Sequence, residues 1–204
     1  NTAINYHELQ TYFHGLRVRM GKDRESGSGT IEDFVDELLE QPDLPAEVEE
    51  KGTKYQQYSI RARRVLQQKY KVLENILATK QMSQVFALPG NYDMDLKYTS
   101  LHERDLHLHW HSIQGLKIAG YGGADIWTPG IPERYIVRYR GNQPWEGGEN
   151  EMYIFFTAVK PDLIATHQPA HGVHDLVSQI GPSGSSALRH YCDNYPVSLC
   201  LSGH

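Results

Sequence analysis

Three short apolar runs, each ending abruptly on a side chain that carries nitrogen or oxygen, constrain the fold of this chain more than any other feature. Residues 85–93 read Val-Phe-Ala-Leu-Pro-Gly-Asn-Tyr-Asp, residues 162–167 Asp-Leu-Ile-Ala-Thr-His, and residues 197–204 Val-Ser-Leu-Cys-Leu-Ser-Gly-His. Apolar runs rich in β-formers and cut by Pro-Gly, or followed at once by polar residues, predict buried strands. The first delivers Asn91, Tyr92 and Asp93 to its carboxyl end, the second His167 and the third His204. Ligands in open α/β sheets sit beyond the carboxyl ends of the strands, so three such strands predict one shared site.

The first third of the chain reads differently. Tyr6, Leu9, Tyr12, Phe13 and Leu16 recur at helical spacing within residues 4–19, a stripe that faces a core. The polar, Gly-rich segment 21–29 breaks the pattern as a loop. Thr30-Ile-Glu-Asp33 then has the form of a capping box with Asp33 in place of the usual Glu, opening a short helix on Ile31, Phe34, Val35, Leu38 and Leu39. A longer helix is predicted over residues 47–79, loosened at Gly52, with Val65, Leu66, Val72, Leu73, Ile76 and Leu77 inward. Its Arg61, Arg63, Arg64, Lys69 and Lys71 suit either a phosphate or partner surface or, interleaved with Glu and Gln, a solvated face.

Beyond Asp93 the pattern turns to strands. His107, His109 and His111 alternate with Leu106, Leu108 and Trp110, which predicts one strand with the histidines on one face and the apolar residues inside. Histidines at i and i+2 can share a zinc ion if a third ligand arrives, and no such ligand is identifiable. A turn at Gln114-Gly115 and a strand over residues 116–120 complete a hairpin. Tyr121-Gly122-Gly123-Ala124-Asp125 permits close backbone approach at a strand end. Residues 127–148, rich in Pro, Gly and aromatics, suit a loop over a site mouth, and helices are predicted over 151–159 and 184–191.

A 39% hydrophobic share of 204 residues is enough to bury one sizeable core. The formal charge of −5 provides no broad basic surface, so neither nucleic acid nor anionic lipid is an expected partner. No apolar run is long enough to span a bilayer, and the expectation is a soluble, cytoplasmic chain, although Cys192 and Cys200 do not fix the compartment.

Gly90-Asn91-Tyr92-Asp93, then Thr166-His167-Gln168-Pro169-Ala170 with Gly172 and Asp175, then Gly203-His204, together resemble the calcineurin-like metallophosphoesterases. That family carries Gly-Asn-His-Asp, Thr-His-x-Pro-Pro followed by Gly and Asp, and Gly-His-x-His, in this order and at similar spacing. The resemblance covers roughly residues 84–204. It implies an α/β fold in which two packed β-sheets are flanked by helices, with residues 1–83 as a helical insertion and 84–204 as the metallophosphoesterase core of one structural domain.

The resemblance further implies two divalent metal ions, manganese, iron or zinc, with Asn91, His167 and His204 as ligands of the second. Tyr92 and Asp93 then stand at the catalytic positions, and Asp175 supports the loop after His167, whose His171 and His174 remain outside the core set. The implied activity is hydrolysis of a small phosphoester, diester or monoester. Tyr92 departs from the family's histidine, and a phenol is the weaker acid, so substrates with good leaving groups are expected. Asp93 either orients Tyr92 or caps the turn. The family's upstream Asp-x-His and Gly-Asp motifs do not precede Gly90, and the chain stops at the first histidine of Gly-His-x-His. It therefore reads as a fragment of the complete site. The alternatives are a non-catalytic scaffold that keeps the fold for protein interaction and, more remotely, a metal hydrolase acting on a non-phosphate ester.

Overall fold

The computed structural model describes residues 2–22, 29–79, 84–125, 129–137, 139–141, 150–178 and 181–203. The chain is mixed α/β and divides into two compact units, Asn1–Val72 with Thr128–Ile136, and Leu73–Trp127 with Val137–His204. The division falls at Val72–Leu73, inside a helix, and a later segment rejoins the first unit, where the sequence suggested a single boundary near residue 83.

The first unit is helical: α1 (Thr2–Arg19), α2 (Ile31–Leu39) and most of α3 (Ala46–Thr79). Its core joins Tyr6 and Phe13 of α1, Ile31, Phe34, Val35 and Leu38 of α2, and Tyr55 of α3. The stripes foreseen on α1 and α2 meet there because residues three and four apart share a helix face. Thr30 closes the predicted capping box: its hydroxyl accepts from Asp33 N (3.1 Å) and the Asp33 carboxylate accepts from Thr30 N (2.8 Å). The loop expected over 21–29 lies largely outside the described residues, at 23–28.

The inward face expected for α3 is corrected. Tyr55, Ser59, Gly52 and Tyr70 are its buried residues, whereas Val65, Val72, Leu73 and Ile76 are exposed and Leu66 and Leu77 are half-buried. Apolar spacing records which residues share a face, and the packing partner decides which face is covered. No helix among the described residues is long and apolar enough to cross a membrane.

The second unit is built on a four-stranded sheet with order β1-β2-β3-β6, where β1 is Trp110–Ile113, β2 Leu116–Tyr121, β3 Leu163–Thr166 and β6 Leu199–Ser202. The β1–β2 hairpin is antiparallel, as foreseen, and its turn places Gln114 and Gly115 at positive φ (51° and 85°), the arrangement that matches strand twist. β2, β3 and β6 run parallel. The helices α4 (Glu151–Val159) and α5 (Ser186–Asn194) pack Met152, Phe156, Leu188 and Tyr191 onto Ala119, Tyr121 and Ile164 of the sheet. A two-stranded ribbon, β4 (Leu176–Val177) with β5 (Gly181–Pro182), stands apart from that sheet.

Two strand expectations are corrected. Residues 84–90 form no strand beyond one bridge, Ala87 to Asp105, since Pro89 lacks an N–H and offers only its carbonyl, which accepts from Gly123 N (2.8 Å). The alternating histidines do not share a face either. Leu108 takes φ 57°, which breaks the alternation before β1 begins. His107 turns inward, His109 is exposed, and His111 stacks on Phe86 at 4.3 Å between ring centres. Trp110, expected inside, is exposed.

Candidate metal centre

Parallel strands end side by side, and the register sets Tyr121, Thr166 and Ser202 level at the carboxyl ends of β2, β3 and β6. Hydrogen bonding continues one step further: His167 N donates to Tyr121 O (3.3 Å) and Gly203 N to His167 O (3.2 Å). His167 therefore emerges at the middle strand's end, flanked by Gly122 and Gly203. His204, the third expected ligand, lies outside the described residues.

Asn91 reaches the same place without a strand to carry it. The bidentate pair of Arg104 with Glu74 (2.8 and 2.9 Å) fixes the turn whose Arg104 carbonyl accepts from Ala87 N (2.8 Å), and Leu106 N donates back to Ala87 O (2.9 Å). The chain then turns at Gly90, where the Asp93 carboxylate accepts from Gly90 N (2.9 Å) and Asp93 N donates to Gly90 O (3.4 Å). Of the two roles foreseen for Asp93, this contact is the turn-capping one. Gly90 lies close against His167: a Cβ there would sit 2.8 Å from its Cε1. Tyr92, on the same turn, is 66% exposed.

Asn91 and His167, 76 residues apart in sequence, thus come together with Oδ1 and Nε2 at 2.8 Å. This separation suits a hydrogen bond from a protonated Nε2, and it also suits two donors on one cation. Adjacent ligands at right angles around a divalent ion, each bonded at about 2.1 Å, stand about 3.0 Å apart. Both are neutral, and an amide oxygen with an imidazole nitrogen is a mixed donor set that manganese, iron or zinc accepts. Among the described residues no group of three or more His, Cys, Asp or Glu side chains is placed to hold a metal ion.

Around this pair the loops are tied by buried polar side chains. Asp175 accepts from Gly172 N (2.9 Å) and Gly184 N (3.2 Å), and His171 Nδ1 lies 3.3 Å from it. The Gly172 N–H above all, followed by that of Gly184, holds the Asp175 carboxyl below the usual carboxylate range against the opposing effect of burial. Gln168, inside the Thr-His-x-Pro motif, donates to Ser183 O and accepts from Asp125 N. His171 and His174 are exposed.

Alternation sets His107 with its neighbours on a strand face, whereas the structure places it beside the site. Its Nδ1 accepts from Gly122 N (3.0 Å), so the imidazole supports the Gly-Gly turn beside His167, and burial pushes its pKa down. The close approach that Gly122 allows is to backbone: a Cβ there would lie 2.7 Å from Pro89 O. Only the left-handed Leu108 separates this placement from simple alternation, and apolar sequence gives no warning of it. Of the loop expected over a site mouth, residues 127, 128, 138 and 142–148 lie outside the described residues.

No protein-family model, curated protein or solved structure matches this chain.

Proposed function

We propose that this chain takes part in the metal-dependent hydrolysis of a small phosphoester, on a calcineurin-like fold of two packed sheets. Asn91, His167 and His204 are the proposed ligands of one ion of a dinuclear centre. The observation that carries the reading is the approach of Asn91 Oδ1 to His167 Nε2 at the carboxyl ends of parallel strands. When bound, a pair of divalent ions neutralises phosphate oxygens and supplies hydroxide near neutral pH.

The chain's own residues hold and orient. The Gly90–Asp93 turn presents the amide oxygen of Asn91, and the strand-end backbone bonds on both sides of His167 fix the position of its imidazole. His167 must carry its proton on Nδ1 to offer Nε2 as a donor. Tyr92, exposed beside the pair, donates its O–H towards the leaving oxygen and favours good leaving groups, because a phenol releases its proton less readily than an imidazolium.

The test measures manganese binding and turnover of nitrophenyl and alkyl phosphodiesters by the protein and by His167→Ala. Manganese affinity should fall more than about tenfold in the variant, with circular dichroism unchanged, and turnover should favour the nitrophenyl ester. Equal rates on both esters would remove the role given to Tyr92. The exposed tyrosine at the family's histidine position favours a second reading, a non-catalytic scaffold. Metal binding without turnover of any ester by the full-length protein would favour that second reading.

A further inference from the structure

We infer that the helical unit carries a second binding site, a cleft for a small phosphorylated molecule whose dianionic phosphate is held by Arg63 and Arg64. This site is independent of the proposed metal centre, and neither reading requires the other.

The cleft has a volume of about 480 Å³ and lies wholly within the first unit. Two adjacent i, i+4 rows of α3 wall one side: Tyr55, Ser59, Arg63 and Gln67 in one row, and Gln56, Ile60 and Arg64 in the next. Glu32 and Asp36 of α2, also four apart, and Arg134 with Tyr135 from the 3₁₀ turn Glu133–Tyr135 form the rest. Its size falls in the range of small-molecule sites, roughly 300–1,000 Å³. The lining is more polar than usual for such sites, which points to a charged ligand.

The lining carries three arginines, Arg63, Arg64 and Arg134, against two carboxylates, Glu32 and Asp36, and of these arginines Arg134 is the one that forms ion pairs among the described residues. Arg134 is fully engaged, with Nη2 at 2.6 Å from Asp33 Oδ1 and 2.7 Å from Asp36 Oδ2. Asp36 also accepts from Gln56 Nε2 (2.6 Å). Glu32 is turned inward, accepting from Tyr55 OH (2.8 Å) and Tyr6 OH (3.0 Å). Both acids are thus already satisfied and neither reaches the two remaining guanidinium groups.

Arg63 lies over the Tyr135 ring at 4.3 Å and donates from Nη1 to its hydroxyl (3.0 Å). Its Nε is buried and has no hydrogen-bond acceptor. A buried guanidinium N–H without an acceptor is costly, and Arg63 stands in the cleft wall with no carboxylate paired to it among the described residues. Arg64, one residue on, is exposed and forms no ion pair among the described residues.

Two guanidinium groups outside the ion pairs of the cleft offer N–H donors to more than one oxygen of a phosphate monoester, beyond what a single carboxylate would use. Guanidinium and phosphate also share a bidentate geometry that lysine does not reproduce. A long polyanion is not the fit, because the cleft is concave and the chain has a formal charge of −5.

The experiment is calorimetric titration of the protein at low ionic strength with chelator present, using inorganic phosphate, adenosine monophosphate and adenosine. It is repeated in His167→Ala, so that a signal from the metal centre is separated from one in the cleft. Both phosphate compounds should bind saturably and adenosine should not. A tighter fit for the monophosphate identifies an ester, and equal affinities identify free phosphate, either of which supports the site. Arg64→Gln should weaken binding by at least about tenfold at an unchanged melting temperature. Arg61→Gln, at an exposed arginine of α3 outside the cleft, should leave binding unchanged. The inference is overturned by the absence of saturable phosphate binding, by equal weakening in both variants, or by loss of binding in His167→Ala.

Discussion

His107 is where a single side chain ties stability to pH. Its ring is half-buried and its Nδ1 must stay unprotonated to accept from Gly122 N. In the unfolded chain an imidazole takes up a proton near about pH 6.5, whereas burial lowers that value in the fold. Between the two values the unfolded state binds more protons, so this contribution is present above about pH 6.5 and is lost as pH falls below it. His107→Asn keeps an acceptor near the Nδ1 position and removes the titration. Urea unfolding between pH 7 and pH 5 should show a smaller acid-induced loss in the variant. An unchanged slope would mean that other histidines carry the effect. Among the residues of the candidate site, Asn91 and His167 were legible because strand ends and glycine turns are local signals. His107 was not, since its direction follows from the backbone at Leu108.

At the scale of elements, local chemistry accounts for much of what forms. α2 begins where Thr30 and Asp33 satisfy each other's backbone N–H groups, and Arg134 adds a contact to Asp33 Oδ1 (2.6 Å). Burial raises the Asp33 pKa, but the Thr30 backbone, the Thr30 hydroxyl and Arg134 outweigh it and hold the carboxyl below its ordinary value. Thr30→Ala removes the N-cap acceptor, and the expected loss is about 1 kcal/mol, read as a lower urea midpoint at unchanged m-value. A variant as stable as the parent would show that the contacts of Asp33 with Arg134 suffice. α4 and α5 start in the same way, with Asn150 accepting from Tyr153 N and Ser185 from Leu188 N. The segment 84–90 shows the limit of such reasoning. Its composition is that of a strand, yet it pairs only through Ala87 and Pro89, and strand pairing depends on what lies beside it.

For the whole molecule, the two compact units make separate cores, one around Phe34 and Tyr55 and the other around Phe156 and Tyr191. Phe34→Ala should cost roughly 3–5 kcal/mol in the first core. Hydrogen exchange should then quicken in α1 and α2 while the amides of β2 and β3 keep their protection. Equal acceleration in both would mean that the cores unfold together. The sequence alone determined the helices α1, α2, α4 and α5, the β1–β2 hairpin, the strand end that bears His167 and the glycine turn that bears Asn91. Periodicity, caps and turn residues act within a few positions of the chain, so they can be read from it. Only the tertiary structure decided that α3 buries Tyr55 and Ser59 in place of Val72 and Ile76, and that Thr128–Ile136 joins the helical unit. It also decided that Arg63 and Arg64 border a cleft. Burial and charge compensation depend on partners distant in sequence, and no local pattern encodes which partner arrives.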